Sequence, residues 1–243
     1  ETILRIIDIV FAAVGEIDPN RALGNAYGTI NALSLSGHRE DGSRWVMFTF
    51  FGGGHGAHGG GDGLSHGNAP ISMATIPPLE ILEAAYPIAF RKWALRKDSG
   101  GPGTNRGGLG ATYQIEVLGQ GAIGFFFGER GKHAPCGVGG GHCAALNRFS
   151  WMRNKLESPN FPAMTSKMVD INLDKGGAVL LETPGGGGYG NPLARCPEKV
   201  VEDMRLGYIS DENMRASYGV VLSDEKCIDH TETKKLRTLL SQE

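Results

Sequence analysis

Apolar residues recur along the first part of the chain at the spacing of a helix face. The pattern predicts a helix over residues 1–17, because steps of three and four separate Ile3, Ile6, Ile7, Val10, Phe11 and Val14. The turn-forming run Asp18-Pro19-Asn20 follows, so we expect the helix to end there.

Shorter apolar segments, each bounded by turn-forming residues, predict the strands. We expect strands at residues 27–35, 45–51, 88–95, 111–118, 122–127, 168–173 and 178–181. Pro77 and Pro78 precede a short helix at residues 79–86, because proline is tolerated in the first turn of a helix. The strands do not alternate regularly with long helices, which disfavours a doubly wound parallel sheet.

The end of the chain is richer in helix signals. Residues 197–206 and 211–217 predict two short helices, with Ser210 as the N-cap of the second, and residues 230–241 predict a final exposed helix. The fold class that follows is α+β. We expect a strand-rich core, mixed or antiparallel, with glycine-rich loops and peripheral helices over residues 1–193, and a small helical C-terminal tail over residues 194–243.

Glycine is the compositional outlier, with 38 of the 243 residues. It is concentrated beside apolar segments, at residues 52–63, 100–110, 137–141 and 185–190. Glycine costs conformational entropy on folding, so such runs indicate positive φ angles or a close approach of the backbone to another group. Consecutive free N–H groups could also bind an anion. Two interpretations stay open: the loops converge on a polar ligand or a partner subunit, or they are tight turns between strands.

Charge and hydropathy exclude several classes of protein. The chain carries 24 Lys and Arg against 26 Asp and Glu, a net charge of −2, whereas broad binding to nucleic acid or to an anionic membrane needs a cationic excess. No apolar run approaches the ~20 residues that span a bilayer, and no signal peptide is visible. We therefore expect a cytoplasmic protein that binds neither nucleic acid nor a membrane.

Four cysteines in a chain of this length do not indicate a disulfide scaffold. Cys136 and Cys143 lie in one loop with His142 between them, but their separation exceeds the roughly two to four residues of a usual zinc chelate. We therefore interpret the cysteines as reduced thiols of a cytoplasmic protein.

Polar side chains in the glycine-rich loops are candidates for chemistry. His55, His58, Asp62 and His66 share the first loop, where they could ligate a metal, transfer protons or be ordinary loop residues. Arg106, in the second loop, either clamps neighbouring carbonyls or binds phosphate. That loop lacks the Lys-Ser/Thr of a Walker motif and the strand–turn–helix setting of a dinucleotide fingerprint.

Glu129 and Arg130 follow the strand predicted at residues 122–127, and they form either a catalytic pair or a salt-bridged corner. The chain has no Gly-x-Ser-x-Gly motif and no cysteine in an electropositive setting, so no Ser-His-Asp or Cys-His arrangement is indicated. The residue patterns alone thus indicate a β-rich domain whose loops face a ligand or partner, without naming its chemistry.

Four motifs lie in or beside the glycine-rich segments: FGGGHGAHGGGDG at residues 51–63, DSGGPGTNRGGLG at 98–110, the Glu129-Arg130 pair, and LETPGGGGYGNP at 181–192. These motifs resemble those of the hydantoinase B/oxoprolinase family and occur in the family's order. Residues 203–222, which end in YGVVL, look like the C-terminal tail of the hydantoinase B branch. The resemblance covers only the C-terminal part of the family's B-type subunits, because their N-terminal metal-site elements have no counterpart here.

The resemblance implies a role in an ATP-dependent enzyme with several subunits. In that family a partner of the hydantoinase A type binds ATP and Mg, and the B-type subunit holds a divalent metal and much of the small-molecule substrate site. We therefore expect an A-type partner, an N-terminal hydantoinase B-type segment or chain that carries the metal, and no metal in this chain. Residues 66–72 read HGNAPIS where hydantoinases and oxoprolinases have an MTNT-like stretch, so the substrate class stays open.

The activity that the resemblance favours is the opening of a cyclic amide by ATP-dependent hydrolysis through a phosphorylated carbonyl. Two alternatives remain: a subunit of an ATP-dependent ketone carboxylase of the acetone or acetophenone type, and a non-catalytic assembly module for an ATP-binding partner. The candidate catalytic residues are Asp62, His66, Glu129 and Arg130, and the candidate substrate-binding residues are Arg106 and Asn68.

Overall fold

The computed structural model describes residues 2–68 and 77–242 of the chain. In these residues the strands are β1 (Asn31–His38), β2 (Arg44–Phe51), β3 (Ile88–Leu95), β4 (Ala111–Val117), β5 (Gly121–Phe127), β6 (Arg148–Met152), β7 (Lys167–Asp174) and β8 (Ala178–Glu182). The α-helices are α1 (Thr2–Ile17), α2 (Leu79–Ala85), α3 (Pro197–Arg205), α4 (Asp211–Tyr218) and α5 (His230–Leu240).

The strands form two four-stranded sheets that pack face to face. The first sheet has the order β2-β1-β5-β7, and the second has the order β3-β4-β8-β6. Neighbouring strands pair in an antiparallel way throughout both sheets. Side chains from both sheets form one apolar cluster, which is the core of the molecule. The predicted α+β class is confirmed, and its core is antiparallel.

The observed elements differ from the predicted ones at two places. The first strand begins at Asn31 rather than at residue 27, because the Tyr27 N–H donates to the carbonyl of Gly54 in the first glycine loop (2.8 Å) instead of to a sheet neighbour. The sequence prediction lacks β6, a strand of only five residues at the edge of the second sheet. Residue 1, included in the predicted first helix, lies outside the described residues.

Local signals fix the helix ends. The helix α1 ends at Ile17, as the following Asp18-Pro19-Asn20 run predicts. The Ser210 hydroxyl accepts a hydrogen bond from the Asn213 N–H (3.1 Å), which confirms the predicted N-cap of α4. Gly219 ends that helix with a left-handed φ of 61°. None of the described helices is both long and apolar enough to cross a membrane.

The C-terminal helices have an apolar cluster of their own. Its buried members are Val200, Val201, Ile209, Met214, Tyr218 and Val220. Ion pairs described below connect this cluster with the glycine loops. The division of the chain at residue 193 into a core and a tail stays a prediction.

The glycine-rich segments pack against one another through their backbones. Residues 185–190 lie at the centre of this packing. Their carbonyls accept hydrogen bonds of 2.8–3.0 Å from one N–H group of each other segment, those of Ala57, Gly101 and Val138. The N–H groups of Gly54 and Gly108 likewise donate to protein carbonyls. The loops therefore converge mainly on each other, and the N–H groups at these positions are not available to bind an anion.

Several of these glycines are required because another backbone occupies the space of a side chain. A Cβ atom on Gly54 would overlap the Gly108 carbonyl, and a Cβ atom on Gly107 would overlap the Gly186 carbonyl. Gly61, in the first loop, has no atom within 4 Å of its Cβ position. Glycine thus has a packing role at the centre of the loops and an ordinary turn role at their tips.

Much of the apolar face of α1 is exposed in the described chain. Its side chains are 37–68% exposed at Ile3, Ile6, Ile9, Val10 and Phe11. The buried residues of this helix are Leu4, Asp8 and Gly15. The spacing in the sequence predicts the helix correctly, but most of its apolar stripe is not the buried face, and a charged residue lies on the buried side.

Candidate functional site

A cavity of about 510 Å³ lies between α1 and the first glycine loop. We call it the helix–loop pocket; its walls come from residues 7–11 of α1, residues 23–26 and residues 55–64. These walls are mostly apolar or backbone, and the titratable side chains among them are Asp8, Asp62, His55 and His58. A largely apolar cavity with a few convergent polar groups is the usual form of a small-molecule site.

Asp8 reaches the pocket from the buried side of α1 and is paired with two arginines. Its carboxylate contacts the Arg130 guanidinium and the Arg5 guanidinium, the latter at 2.9 Å between Nη1 and Oδ2. Arg130 is fixed in turn by the carbonyls of Tyr27 (3.3 Å) and Ala26 (3.2 Å). Burial raises the pKa of Asp8 despite both arginines, because desolvation opposes its charged form.

Asp62 reaches the same pocket from the first glycine loop and is held more tightly. Both of its oxygens accept hydrogen bonds from Arg195, at 2.6 and 2.7 Å, and the Arg106 N–H donates to one of them at 2.7 Å. Burial opposes the charged carboxylate here too, but the Arg195 hydrogen bonds and charge outweigh it and lower the pKa of Asp62.

The two carboxyl groups of the pocket thus have pKa values that are shifted in opposite directions. Asp8 keeps its proton to a higher pH than an ordinary aspartate, and Asp62 stays ionised to a lower one. Opposite shifts of two acids in one site are the pattern seen where one acts as a proton donor and the other as a fixed negative charge. The two carboxyl groups that line the pocket therefore ionise over different pH ranges.

The imidazoles of the pocket have backbone partners. His55 forms a hydrogen bond through Nε2 with the carbonyl of Asn68, and His58 accepts one at Nδ1 from the Gly60 N–H (3.0 Å). Among residues 2–68 and 77–242, no three His, Cys, Asp or Glu side chains converge in a way that could hold a metal ion. The side chains of these described residues do not fit the divalent metal that the resemblance implies for a B-type subunit, and we assign no metal ligand to them.

The lowered pKa of Asp62 predicts how stability depends on pH. Because its folded pKa lies below the ordinary 3.8, the Asp62–Arg195 pair stabilises the fold fully above pH 3.8, and this contribution is lost as the pH falls through the folded value. We expect the stability difference between wild type and Asp62→Asn to be largest near neutral pH and to shrink below pH 3.8. Urea unfolding at a series of pH values measures this difference. Asp224→Asn, at an exposed position, is the control. A stability difference between wild type and Asp62→Asn that does not change with pH would contradict the link between the pKa of Asp62 and stability.

His66 and Asn68 line a different cavity. This second space, of about 600 Å³, lies along the edge strand β2 and is walled mainly by apolar groups, among them Phe51 and Trp93. His66 has a left-handed φ of 52° and forms hydrogen bonds through Nε2 with the Tyr113 hydroxyl and the Trp93 indole, the latter at 3.1 Å. Burial lowers the pKa of His66, so its neutral form is favoured. Of the distinctive residues 66–72, those at 69–72 lie outside the described residues.

Arg106 has the contacts of a structural clamp. Its side chain is almost fully buried, donates to the Gly107 carbonyl (2.7 Å), lies 3.4 Å from Asp203 and stacks over the ring of Tyr208. Protein groups therefore surround the guanidinium, as in the carbonyl-clamp interpretation. Its predicted role in substrate binding stays a prediction.

Glu129 and Arg130 are connected through a chain of ion pairs and not by a direct ion pair. The Glu129 carboxylate lies 3.6 Å from Arg5, which contacts Asp8, which in turn contacts Arg130. This arrangement matches the salt-bridged corner. Of the predicted residues, Asp62 lines the helix–loop pocket, whereas His66 and Asn68 line the second cavity. Arg130 and Arg106 contact the two pocket aspartates, Asp8 and Asp62 respectively.

Two important residues are missing from the sequence prediction. Asp8 had a usable signal, since a carboxylate between Ile7 and Ile9 of an apolar helix needs a buried partner. Arg195 had no such signal. Its partner Asp62 is distant in the sequence, and its partner Asp203 is one of several charged residues in a helix, so only the folded chain brings the three together.

The fold and the motifs agree with known proteins. Residues 1–192 match the sequence model of the family described as hydantoinase B/oxoprolinase. The B-type chain of the putative D-/L-hydantoinase of Pseudomonas sp. (strain NS671) is 29% identical over 232 residues, which are 96% of this chain and 38% of that protein. The beta chain of the caprolactamase of Pseudomonas jessenii is 27% identical over 245 residues, which cover 94% of this chain and 40% of that protein.

Similarity extends to a solved structure. The nucleotide-free structure of acetone carboxylase superposes on this chain with a TM-score of 0.78. The match covers 96% of this chain and 36% of the acetone carboxylase chain, and at 23% identity it is a likeness of fold. The chain spans about two fifths of the length of the curated relatives it matches. On the strength of the family match over residues 1–192, the chain belongs to the hydantoinase B/oxoprolinase family.

Proposed function

We propose that the chain is the C-terminal part of a B-type subunit in an ATP-dependent enzyme that opens a cyclic amide. The observation that carries the proposal is sequence similarity along nearly the whole chain to one chain of a hydantoinase and one chain of a caprolactamase, proteins whose names specify cyclic amides. The alpha chain of an acetone carboxylase is also similar in sequence, at 28% identity, but over only 66% of this chain against 94–96% for the other two. A ketone carboxylase subunit is therefore the second candidate, and a non-catalytic assembly module is the third.

The chemistry of a cyclic amide explains why such an enzyme consumes ATP. Amide resonance makes the carbonyl carbon a poor electrophile, and phosphorylation of the carbonyl oxygen activates that carbon so that water can add. The ring C–N bond then breaks as the nitrogen gains a proton, and hydrolysis of the resulting acyl phosphate releases inorganic phosphate. We assign ATP and Mg to a partner of the hydantoinase A type and the divalent metal to the part of the B-type subunit that lies outside this chain. The described residues then have to bind the ring, exclude bulk water and donate a proton to the nitrogen that leaves.

We propose that the ring binds and gains its proton in the helix–loop pocket. Opening the ring releases an amide nitrogen, which has to gain a proton to leave. Asp8, with its raised pKa, is suited to donate a proton from its carboxyl oxygen, and Arg5 and Arg130 then stabilise the carboxylate that remains. Asp62 is suited to a fixed electrostatic role, since both of its oxygens are bound by Arg195 and its pKa is low.

The activity is tested on the complete enzyme with all of its subunits. We expect stoichiometric formation of ADP and ring-opened product with a hydantoin or a lactam, and no ADP formation with acetone or acetophenone plus bicarbonate. ADP formation with the ketones only would favour the carboxylase. An active complex whose turnover is unchanged by Asp8→Asn and Asp62→Asn together would favour the assembly module.

An apolar surface supports the proposed place of the chain in a larger subunit. On the outer face of the first sheet, small residues of β1 lie between two rows of large ones, which are Val46, Phe48 and Phe50 on β2 and Ile123, Phe125 and Phe127 on β5. These six side chains are 38–55% exposed, and contiguous apolar surface of this kind is usually covered in a complete protein. We assign the cover to the rest of the B-type subunit, because the curated relatives continue well beyond the matched region.

Oxidative footprinting of the complete enzyme tests this surface. We expect hydroxyl radicals to modify Phe48 and Phe125 several-fold less than Phe161, which is 73% exposed and lies outside the strands. Phe161 is the internal control, because all three side chains have the same intrinsic reactivity. Equal modification of the three phenylalanines, read by peptide mass spectrometry, would contradict the assignment.

A further inference from the structure

Two cysteines face each other across the third glycine loop. The Sγ atoms of Cys136 and Cys143 are 3.1 Å apart, and both residues are exposed. An S–S bond is about 2.05 Å long, so an approach of roughly 1 Å would join the two sulfurs. The other cysteines in the described residues, Cys196 and Cys227, are also exposed thiols and provide a comparison within the same chain.

The backbone of the loop holds the two sulfurs in this position. The Ala144 N–H donates to the Pro135 carbonyl (2.8 Å), which makes Cys136 and Cys143 the next facing pair, as in an antiparallel hairpin. At the tip, Gly139 and Gly140 adopt positive φ values of 61° and 91°, which let the chain reverse. The juxtaposition therefore follows from the loop fold and not from the choice of side-chain rotamers alone.

Both branches of the loop are anchored to neighbouring segments. The Cys136 carbonyl accepts from the Asn25 N–H (2.8 Å), and the His142 N–H donates to the Pro102 carbonyl (2.7 Å). Asn25 also lines the helix–loop pocket. The backbone of Cys136 is thus joined by one hydrogen bond to the wall of the candidate site.

We propose that Cys136 and Cys143 form a modification site, at which a disulfide oxidant of the glutathione class converts the two thiols into an intramolecular disulfide. The site is independent of the proposed activity, since it depends on the loop alone. Oxidation closes a short ring that the native loop already forms, so we expect it to leave the fold unchanged and to raise the midpoint of thermal unfolding by a few degrees.

The exchange balances in two steps. One cysteine thiolate attacks a sulfur of oxidised glutathione, which forms a mixed disulfide and releases one glutathione thiolate. The second cysteine thiolate then attacks the protein sulfur of the mixed disulfide, which forms the Cys136–Cys143 bond and releases the second glutathione. Two protein thiols are oxidised, one glutathione disulfide is reduced to two thiols, and the protons of the cysteines pass to the released glutathione.

The test titrates the purified full chain, in its complex, with oxidised glutathione and follows it by intact mass and peptide mapping without reduction. We expect the peptides that carry Cys136 and Cys143 to be linked to each other and together lighter by two hydrogen atoms, whereas the exposed Cys196 and Cys227 take up at most one glutathione each. Cys136→Ser and Cys143→Ser should each retain one glutathione as a mixed disulfide instead. The Cys196→Ser/Cys227→Ser double variant should form the internal disulfide as wild type does.

A pH series adds a second readout. Hydrogen bonding with the Cys143 sulfur, and then burial, raise the pKa of the Cys136 thiol, so the exchange should accelerate as the pH rises through the alkaline range. Stable mixed disulfides at both Cys136 and Cys143 of the wild type, or a disulfide that joins either of them to Cys196 or Cys227, would overturn the proposal. So would full retention of all thiols at an oxidant concentration that modifies Cys136→Ser.

Discussion

Replacing Arg195 by alanine is expected to destabilise the chain by about 3–5 kcal/mol, because the change removes the closest counter-charge of the buried Asp203 carboxylate and the bidentate partner of Asp62. The Arg195 side chain is only 2% exposed and contacts both Asp62 and Asp203. Asp203 is itself buried and belongs to α3, whereas Asp62 belongs to the first glycine loop. The loss therefore disconnects the C-terminal helices from the glycine loops, and urea unfolding measures it.

A matched control separates this effect from the loss of any arginine. Arg153 contacts Asp174 at 3.1 Å, but both side chains are more than half exposed. We expect Arg153→Ala to cost less than about 1 kcal/mol, because exposed pairs contribute little. Equal losses for the two variants would contradict the structural role assigned to Arg195.

Replacing Gly54 by alanine is expected to destabilise the chain by about 3 kcal/mol or more, or to prevent folding, because the added methyl group overlaps a backbone carbonyl. The overlapped group is the carbonyl of Gly108, which a side-chain rotation is unable to move. Relief requires the second glycine loop to shift, and with it the hydrogen bonds to residues 185–190. Soluble yield and urea unfolding measure the loss.

Gly61→Ala is the control in the same loop. Its Cβ position has no neighbour within 4 Å, and its φ is not in the left-handed region. We expect its stability to stay within about 1 kcal/mol of wild type. Similar behaviour of the two alanine variants would mean that the glycines serve flexibility rather than close packing of the backbone.

Local patterns in the sequence predict most of the fold. The apolar segment at 88–95 coincides with β3, and Ser210 caps α4 as its position suggests. These features depend on residues near each other along the chain. The strand β6 is missed because Arg148–Met152 is short and its place is decided by pairing with β8. Its edge position in the second sheet is a tertiary effect, which a single segment does not encode.

The candidate site is only partly predictable, for a related reason. Asp62 is singled out by its loop, but the partners that set its charge state, Arg195 and Arg106, are brought to it by the packing of glycine segments. Asp8 is hidden in an apolar helix, and its raised pKa arises from burial in the folded chain, which outweighs the lowering effect of the Arg130 charge. The sequence identifies the loops that carry polar groups, whereas the fold decides which of those groups meet.

The central claim is that the helix–loop pocket supplies a proton from Asp8 during the opening of a cyclic amide. The direct measurement is kcat against pH for the complete enzyme carrying Asp8→Asn, with retained assembly confirmed and with the exposed Asp41→Asn variant as control. We predict a fall in kcat of about 100-fold or more for Asp8→Asn, with loss of the Asp8-dependent limb of the pH profile and little change for Asp41→Asn. An assembled Asp8→Asn enzyme with wild-type kcat and an unaltered pH profile would contradict the claim.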